Sequence, residues 1–130
     1  MKYVYTTVLT PYEGGYVATV PDVPGCTSGG KDLSETLEMT KDALCGCLVA
    51  YEEEGIQLAQ PRLPEQIELK PGQIAALIDV DTVKYLMETD THVVRRNVSL
   101  PSWLNSRAEK AGINFSQILQ DGLKSRLGLQ

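Results

Sequence analysis

The last forty residues place the tightest limit on the fold, because they contain three structural elements but too few residues for a core. Residues 93–100 alternate like a single strand. Two short helices are predicted over 101–111 and 115–127, with Gly112 ending the first and Asn114 capping the second. A lone strand followed by two short helices cannot bury a core by itself, and its strand has unpaired edges. The segment therefore predicts an obligate homodimer in which two strands pair antiparallel and the helices interlock.

The strand of this segment has two chemically different faces. Alternation turns Val98 and Leu100 towards the shared core and places Arg95, Asn97 and Ser99 on the other face. A two-stranded ribbon fits the DNA major groove, where Arg reads guanine, Asn reads adenine and Ser bonds to either. These three residues therefore predict DNA binding at a roughly palindromic site, with an ordinary polar face on a dimerisation module as the alternative. The predicted dimer core comprises Val98, Leu100, Trp103, Leu104, Ala108, Ile113, Ile118, Leu119 and Leu123.

Contacts to the DNA backbone are predicted at two further places. Arg96 has the opposite parity in the strand, and we expect it on a phosphate or at the ribbon edge. Asn114 and Ser116 flank the start of the second helix, directly after a tight turn. Free backbone N–H groups and the helix dipole favour an anion there, and a DNA phosphate is the natural one.

The charge distribution supports two separate tasks. The net charge is −5, which taken alone argues against nucleic acid. Residues 1–90 hold 6 Lys and Arg against 15 Asp and Glu, a net charge of −9, whereas residues 91–130 hold 6 against 2, a net charge of +4. The basic part suits phosphate and the acidic part suits a basic partner, unless the asymmetry is accidental.

The acidic part predicts an α+β domain made of a small antiparallel sheet covered by one long helix. Asp32 and Glu35 have capping-box spacing at the helix start, and Gly55 supplies its stop. The apolar face predicted for the helix comprises Leu33, Leu37, Thr40, Leu44, Cys47, Leu48 and Tyr51. Strands are predicted at 2–9, 16–20, 26–28, 67–69 and 74–80. The resulting organisation is a domain over 1–81, a partly helical linker over 82–91, and a second domain over 92–130.

Few residues are suited to catalysis or metal binding. The three cysteines lack metal or redox spacing, and the single histidine, His92, lies at the predicted linker. Asp22, Asp79 and Asp81 are the candidate carboxylates for a metal-dependent nuclease, but Asp22 and Asp81 are better explained as turn caps. We therefore expect no enzyme activity, no metal and no cofactor. No apolar run is long enough to cross a membrane and the N-terminus lacks a signal-peptide core, so we expect a cytoplasmic protein.

Two resemblances together cover nearly the whole chain. The tail RRNVSLPSWL, followed by GINFS, resembles ribbon-helix-helix repressors of the Arc/CopG type. The first part resembles the HicB antitoxin family in GGYVATVPDVPGCTS at 14–28, DLSETLEMTKDAL at 32–44, EEEG at 52–55 and IAALIDVD at 74–81.

The resemblance implies a function more specific than the residues alone do. It implies an N-terminal domain similar to a truncated ribonuclease H-like fold, which binds and inhibits a HicA-type toxin, a small basic ribonuclease that cleaves mRNA. It also implies that the C-terminal domain represses the toxin–antitoxin operon as a dimer, with a higher assembly possible when the toxin is bound. The toxin-contacting residues stay unknown at this point. The alternative is a ribbon-helix-helix repressor whose N-terminal domain binds a non-toxin partner or ligand.

Overall fold

The computed structural model describes residues 1–129, which form two compact units. The first runs from Met1 to His92, and the second begins at Val93. The first unit contains strands β1 (Lys2–Tyr12), β2 (Gly15–Thr19), β3 (Thr27–Gly30) and β4 (Ile74–Asp81), helices α1 (Leu33–Glu53) and α2 (Thr82–Thr89), and a 3-10 turn at Pro64–Gln66. The second contains helices α3 (Ser102–Lys110) and α4 (Phe115–Arg126).

The four strands form one antiparallel sheet in the order β3-β2-β1-β4. Strand β1 is central and is buried without a break from Tyr5 to Leu9, so both faces of the sheet are covered at its middle. The α+β class and the antiparallel sheet agree with the sequence prediction. In the described chain, no helix is both long and apolar enough to cross a bilayer.

Helix α1 covers one face of the sheet and begins and ends at the predicted residues. The Asp32 carboxylate accepts a hydrogen bond from the backbone N–H of Glu35 at 2.8 Å, which satisfies one free donor of the first turn. Gly55 follows the helix with a φ of +70°, a conformation that suits glycine. The core between helix and sheet comprises Tyr5, Val20, Val23, Cys26, Leu44, Cys45, Leu48, Ile78 and Val80.

The predicted buried face of α1 is confirmed at Thr40, Leu44 and Leu48, but it is wrong in the first turn. Leu33 was expected in the core but is 42% exposed, whereas Thr36 is fully buried. A Cβ added to Gly30 would lie only 2.7 Å from the Thr36 backbone nitrogen, so the first turn of α1 lies too close to β3 for a large side chain. The Thr36 hydroxyl donates to the Asp32 carbonyl at 2.6 Å, which lets a polar side chain be buried there.

The predicted strand at 67–69 is wrong. The backbone bends into a 3-10 turn at Pro64–Gln66 instead, and the Ile67 N–H donates back to the Pro64 carbonyl at 3.2 Å. The preceding loop lies across the second face of the sheet, where the Thr6 hydroxyl donates to the Arg62 carbonyl at 2.8 Å. Asp22 holds this loop by accepting from the Arg62 backbone N–H at 2.8 Å and from its Nε at 2.9 Å.

The second unit has the two predicted helices, but residues 93–100 form no strand within the single chain. The predicted strand is therefore corrected to a segment without regular secondary structure, because a strand exists only through hydrogen bonds to a neighbouring strand. The Asn114 side chain accepts from the Gln117 N–H at 3.1 Å and caps α4, as predicted. No residue described between 93 and 129 is buried, so this unit has no core of its own.

Candidate functional site

The segment before α3 carries the residues predicted to contact DNA. Arg95, Asn97 and Ser99 are all exposed, and so is Arg96. They lie within a unit whose charged residues are mostly basic, with six Lys and Arg against two Asp and Glu. The four side chains are therefore free to meet a ligand, and the local charge suits a polyanion.

The apolar residues predicted for the dimer core are exposed in the single chain. The exposed fraction is 65% for Trp103, 59% for Val98 and 58% for Ile118. Leu100, Leu104 and Leu119 are exposed by about two fifths each. So many large apolar side chains in 37 described residues form a surface of the kind that marks an interaction site.

The start of α4 leaves part of its backbone free for a ligand. The Asn114 side-chain oxygen is occupied by the cap to Gln117, so this oxygen serves the helix itself. Ser116 is exposed in the first turn. The first N–H groups of a helix have no partner within it, and a phosphate contact at this turn stays a prediction.

The acidic unit contains one carboxylate whose role the sequence did not reveal. Glu52, near the end of α1, accepts from the Tyr3 hydroxyl at 2.7 Å and from the Thr82 hydroxyl at 3.0 Å. Burial, and then the hydrogen bond to Glu52, raise the pKa of Tyr3 to about 12. Glu52 therefore joins α1 to β1 and α2, and only Glu53 and Glu54 of the acidic triplet remain as free surface charges.

The candidate nuclease carboxylates do not converge. The Asp81 carboxylate caps α2 as predicted, by accepting from the backbone N–H of Val83 at 3.0 Å. The turn-cap prediction for Asp22 is wrong, because its carboxylate instead accepts from Arg62, forty residues along the chain. Asp79 is exposed on β4, 3.7 Å from the Lys41 ammonium. Within residues 1–129, no cluster of three His, Cys, Asp or Glu side chains is placed to hold a metal ion.

The cysteines belong to the core. Cys26 and Cys45 are buried, and Cys47 is partly buried. Burial raises the pKa of the Cys26 thiol to about 12, and the neighbouring Cys47 adds to the effect. The Cys26 thiol therefore stays protonated and unreactive near neutral pH.

The family model of the HicB-like antitoxins of bacterial toxin–antitoxin systems matches residues 5–120. The chain therefore belongs to the HicB-like antitoxin family. This is a family of non-enzymatic regulatory proteins, so the chain is an antitoxin-type regulator and not an enzyme.

Individual proteins are similar to this chain in sequence or in fold. A 14.9 kDa protein from the rep-hol intergenic region of Haemophilus phage HP1 is 28% identical over 109 residues, which are 82% of this chain and 79% of that protein. A chain of a toxin–antitoxin complex from Streptococcus pneumoniae shares the fold with a TM-score of 0.62 and 20% identity, over 97% of this chain and 99% of the other. A chain of the HicA3 and HicB3 toxin–antitoxin complex aligns with a TM-score of 0.52 and 21% identity, over 61% of this chain and 99% of the other.

Proposed function

We propose that this chain is an antitoxin with two binding activities on separate parts of the molecule. Residues 1–81 bind and inhibit a HicA-type mRNA-cleaving toxin. Residues 92–130 dimerise as a ribbon-helix-helix domain and repress the operon of the chain itself, and residues 82–91 connect the two. Membership of the HicB-like antitoxin family is the observation that carries this proposal.

The charge of the first unit supports a basic toxin as its partner. Its net charge of −9 attracts a basic protein and raises the rate of encounter. One of the similar folds comes from a complex of a HicA with a HicB, which is the pairing that we propose for this chain.

The apolar surface of the second unit supports a second copy of the chain as its partner. Pairing residues 93–100 antiparallel with their two-fold mate would satisfy the backbone of both segments at once. The same pairing brings Trp103, Ile118 and their apolar neighbours together in one shared core. It also presents Arg95, Asn97 and Ser99 twice on one ribbon, with Arg96 and the backbone at Asn114 and Ser116 directed to phosphates.

A titration of the DNA upstream of the gene for this chain tests repression. Arg95→Ala and Asn97→Ala should each weaken binding by about 1–3 kcal/mol per base contact, while binding to scrambled DNA should change little. Arg126→Ala removes the same charge from the end of α4 and is the matched control, with specific binding retained. Equal, weak binding by the wild type and the ribbon variants would show that the second unit only dimerises.

Co-expression with the short basic reading frame next to the gene tests toxin inhibition. The wild type should restore growth, and so should the Arg95→Ala/Asn97→Ala double variant, because the ribbon lies outside the toxin-binding unit. Failure of the wild type to restore growth would favour a repressor whose first unit binds another partner. Failure of the double variant alone would contradict the division between the two units.

A further inference from the structure

Strand β4 has a free outer edge. In an antiparallel pair, residues alternate between those bonded to the neighbouring strand and those whose backbone points away from it. The Thr82 N–H donates to the Met1 carbonyl at 2.9 Å, and β1 and β4 pair in the register Tyr3–Val80 and Tyr5–Ile78. The even residues of β4 therefore bond to β1. The N–H and C=O groups of the odd residues Ala75, Leu77 and Asp79 point outward.

The outward N–H and C=O groups of β4 have no backbone hydrogen-bond partner among the described residues. Among the described residues, no turn, cap or loop backbone bond engages Ala75, Leu77 or Asp79. The Lys41 ammonium of α1 lies 3.7 Å from the Asp79 carboxylate and is half exposed, and Lys2 and Lys84 lie near the same end of β4. These charged side chains are at the Asp79 end of the strand, so the backbone of Ala75 and Leu77 stays open to another strand.

The two edges of the sheet differ in their protection. Strand β3 has four residues, and the start of α1 lies tightly against it, as the contact between Gly30 and Thr36 shows. Strand β4 has eight residues and contains no Pro or Lys, and its charged side chains, Asp79 and Asp81, are confined to its last three residues. A long, unblocked edge is a template for the addition of a strand.

Exposed apolar side chains lie directly beside this edge. Leu77 is 55% exposed, and Val4 of β1 is 52% exposed. Val4 is paired with Asp79 and Thr6 with Leu77, so Val4 and Leu77 are diagonal neighbours on the same face of the sheet. A strand added next to β4 would cover Leu77 and reach Val4 with a long side chain.

Charge decides which partner fits the edge. The exposed Asp79 lies on the edge itself, and the unit that carries it has a net charge of −9. A second copy of this unit would bring the same negative charge to the interface, whereas a basic protein would neutralise it. We infer that the toxin binds by adding a strand to the outer edge of β4, with Leu77 and Val4 as its apolar contacts. This inference rests on the proposed inhibition of a basic toxin and names the surface that performs it.

Amide hydrogen exchange of the full-length chain, with and without the toxin from the same operon, tests the inference directly. The amides of Ala75, Leu77 and Asp79 should exchange quickly in the free chain and become protected in the complex. Those of Ala76 and Ile78 should be protected in both states, because they bond to β1. Toxin binding without new protection at the three outward amides would overturn the inference.

A substitution that removes a backbone N–H tests the hydrogen bonds of the β4 edge separately from its side-chain contacts. Ala75→Pro removes an outward N–H, which an edge strand tolerates, and should weaken toxin binding about tenfold or more. Ala75→Val keeps the N–H and is the matched control, with affinity close to wild type. Equal affinities for the Pro and Val variants would contradict strand addition.

A charge substitution keeps the inference testable if Ala75→Pro does not fold. Leu77→Lys places a positive charge on the edge and should weaken binding to the basic toxin at least tenfold. Met39→Lys makes the same change at a half-exposed position on the opposite side of α1 from Lys41, and it should leave affinity unchanged.

The outcomes also separate the inference from the proposed function. Absence of binding by the wild type contradicts the proposed toxin inhibition, and the inference falls with it. Wild-type binding that both edge variants retain contradicts the inference alone. If the variants alter only the self-association of the free chain, the edge serves a second copy and the inference is wrong.

Discussion

At the scale of single residues, one carboxylate connects the ends of three elements. Glu52 of α1 accepts hydrogen bonds from Tyr3 of β1 and Thr82 of α2. The amino group of Met1 donates to the same Thr82 hydroxyl at 3.1 Å. The start of α2, which leads towards the second unit, is thereby fixed to the sheet and to the end of α1.

The Tyr3 hydroxyl gives this cluster a measurable pH dependence. Its pKa in the folded chain is about 12, against an ordinary value of 10.0, so the stability it contributes is complete below pH 10 and is lost as the pH rises towards 12. Tyr3→Phe should lower the free energy of unfolding by about 0.5–1.5 kcal/mol at pH 8, where a hydrogen bond is lost. Urea unfolding of both proteins should show this difference shrinking between pH 10 and 12. A difference that stays constant over that range would contradict the role of the hydroxyl.

At the scale of elements, the approach of α1 to β3 sets which face of the helix is buried. The contact needs a glycine at position 30, because any Cβ there would meet the backbone of Glu35 and Thr36. The same closeness places a small threonine at the inward position of the first turn, while Leu33 remains 42% exposed.

A pair of Gly→Ala substitutions tests this contact. Gly30→Ala forces the first turn of α1 away from the sheet and should lower the free energy of unfolding by about 1–3 kcal/mol. Gly122→Ala lies in α4 with no heavy atom within 4 Å of the added Cβ, so it should stabilise the helix by about 1 kcal/mol. Thermal unfolding of both variants measures the two effects. A Gly30→Ala protein as stable as the wild type would show that the turn is free to move.

At the scale of the whole molecule, the two units differ in how they are stabilised. The first has a core between α1 and the sheet, with nine buried apolar residues in one cluster. The second has two helices and a segment without regular secondary structure, but no buried residue among those described. We therefore expect its stability to depend on the second copy that we propose as its partner.

Trp103 is the most sensitive test of that dependence, because it is the largest exposed side chain of the second unit. If the ring lies in the shared dimer core, Trp103→Ala should lower the free energy of unfolding of the dimer by about 3–5 kcal/mol. Light scattering should then show a shift towards monomer, whereas Trp103→Phe should stay largely dimeric. An unchanged dimer for Trp103→Ala would contradict the assignment of this residue to the core.

The sequence by itself determined the local features of this chain. Asp32, Gly55 and Asn114 mark the ends of helices through interactions with residues at most three or four positions away. Their roles could therefore be predicted from the amino-acid sequence alone. The antitoxin family could be recognised in the same way, because its motifs are continuous stretches of sequence.

Tertiary structure alone decided the features that depend on residues far apart in the chain. The link from Glu52 to Tyr3 and Thr82, the burial of Thr36 and the clamp between Asp22 and Arg62 each join separate elements. The open edge of β4 follows from its pairing with β1 on one side only, which the alternation of its residues does not reveal. Local patterns specify which elements form, but the sheet order and the register decide which backbone groups and side chains remain available for a partner.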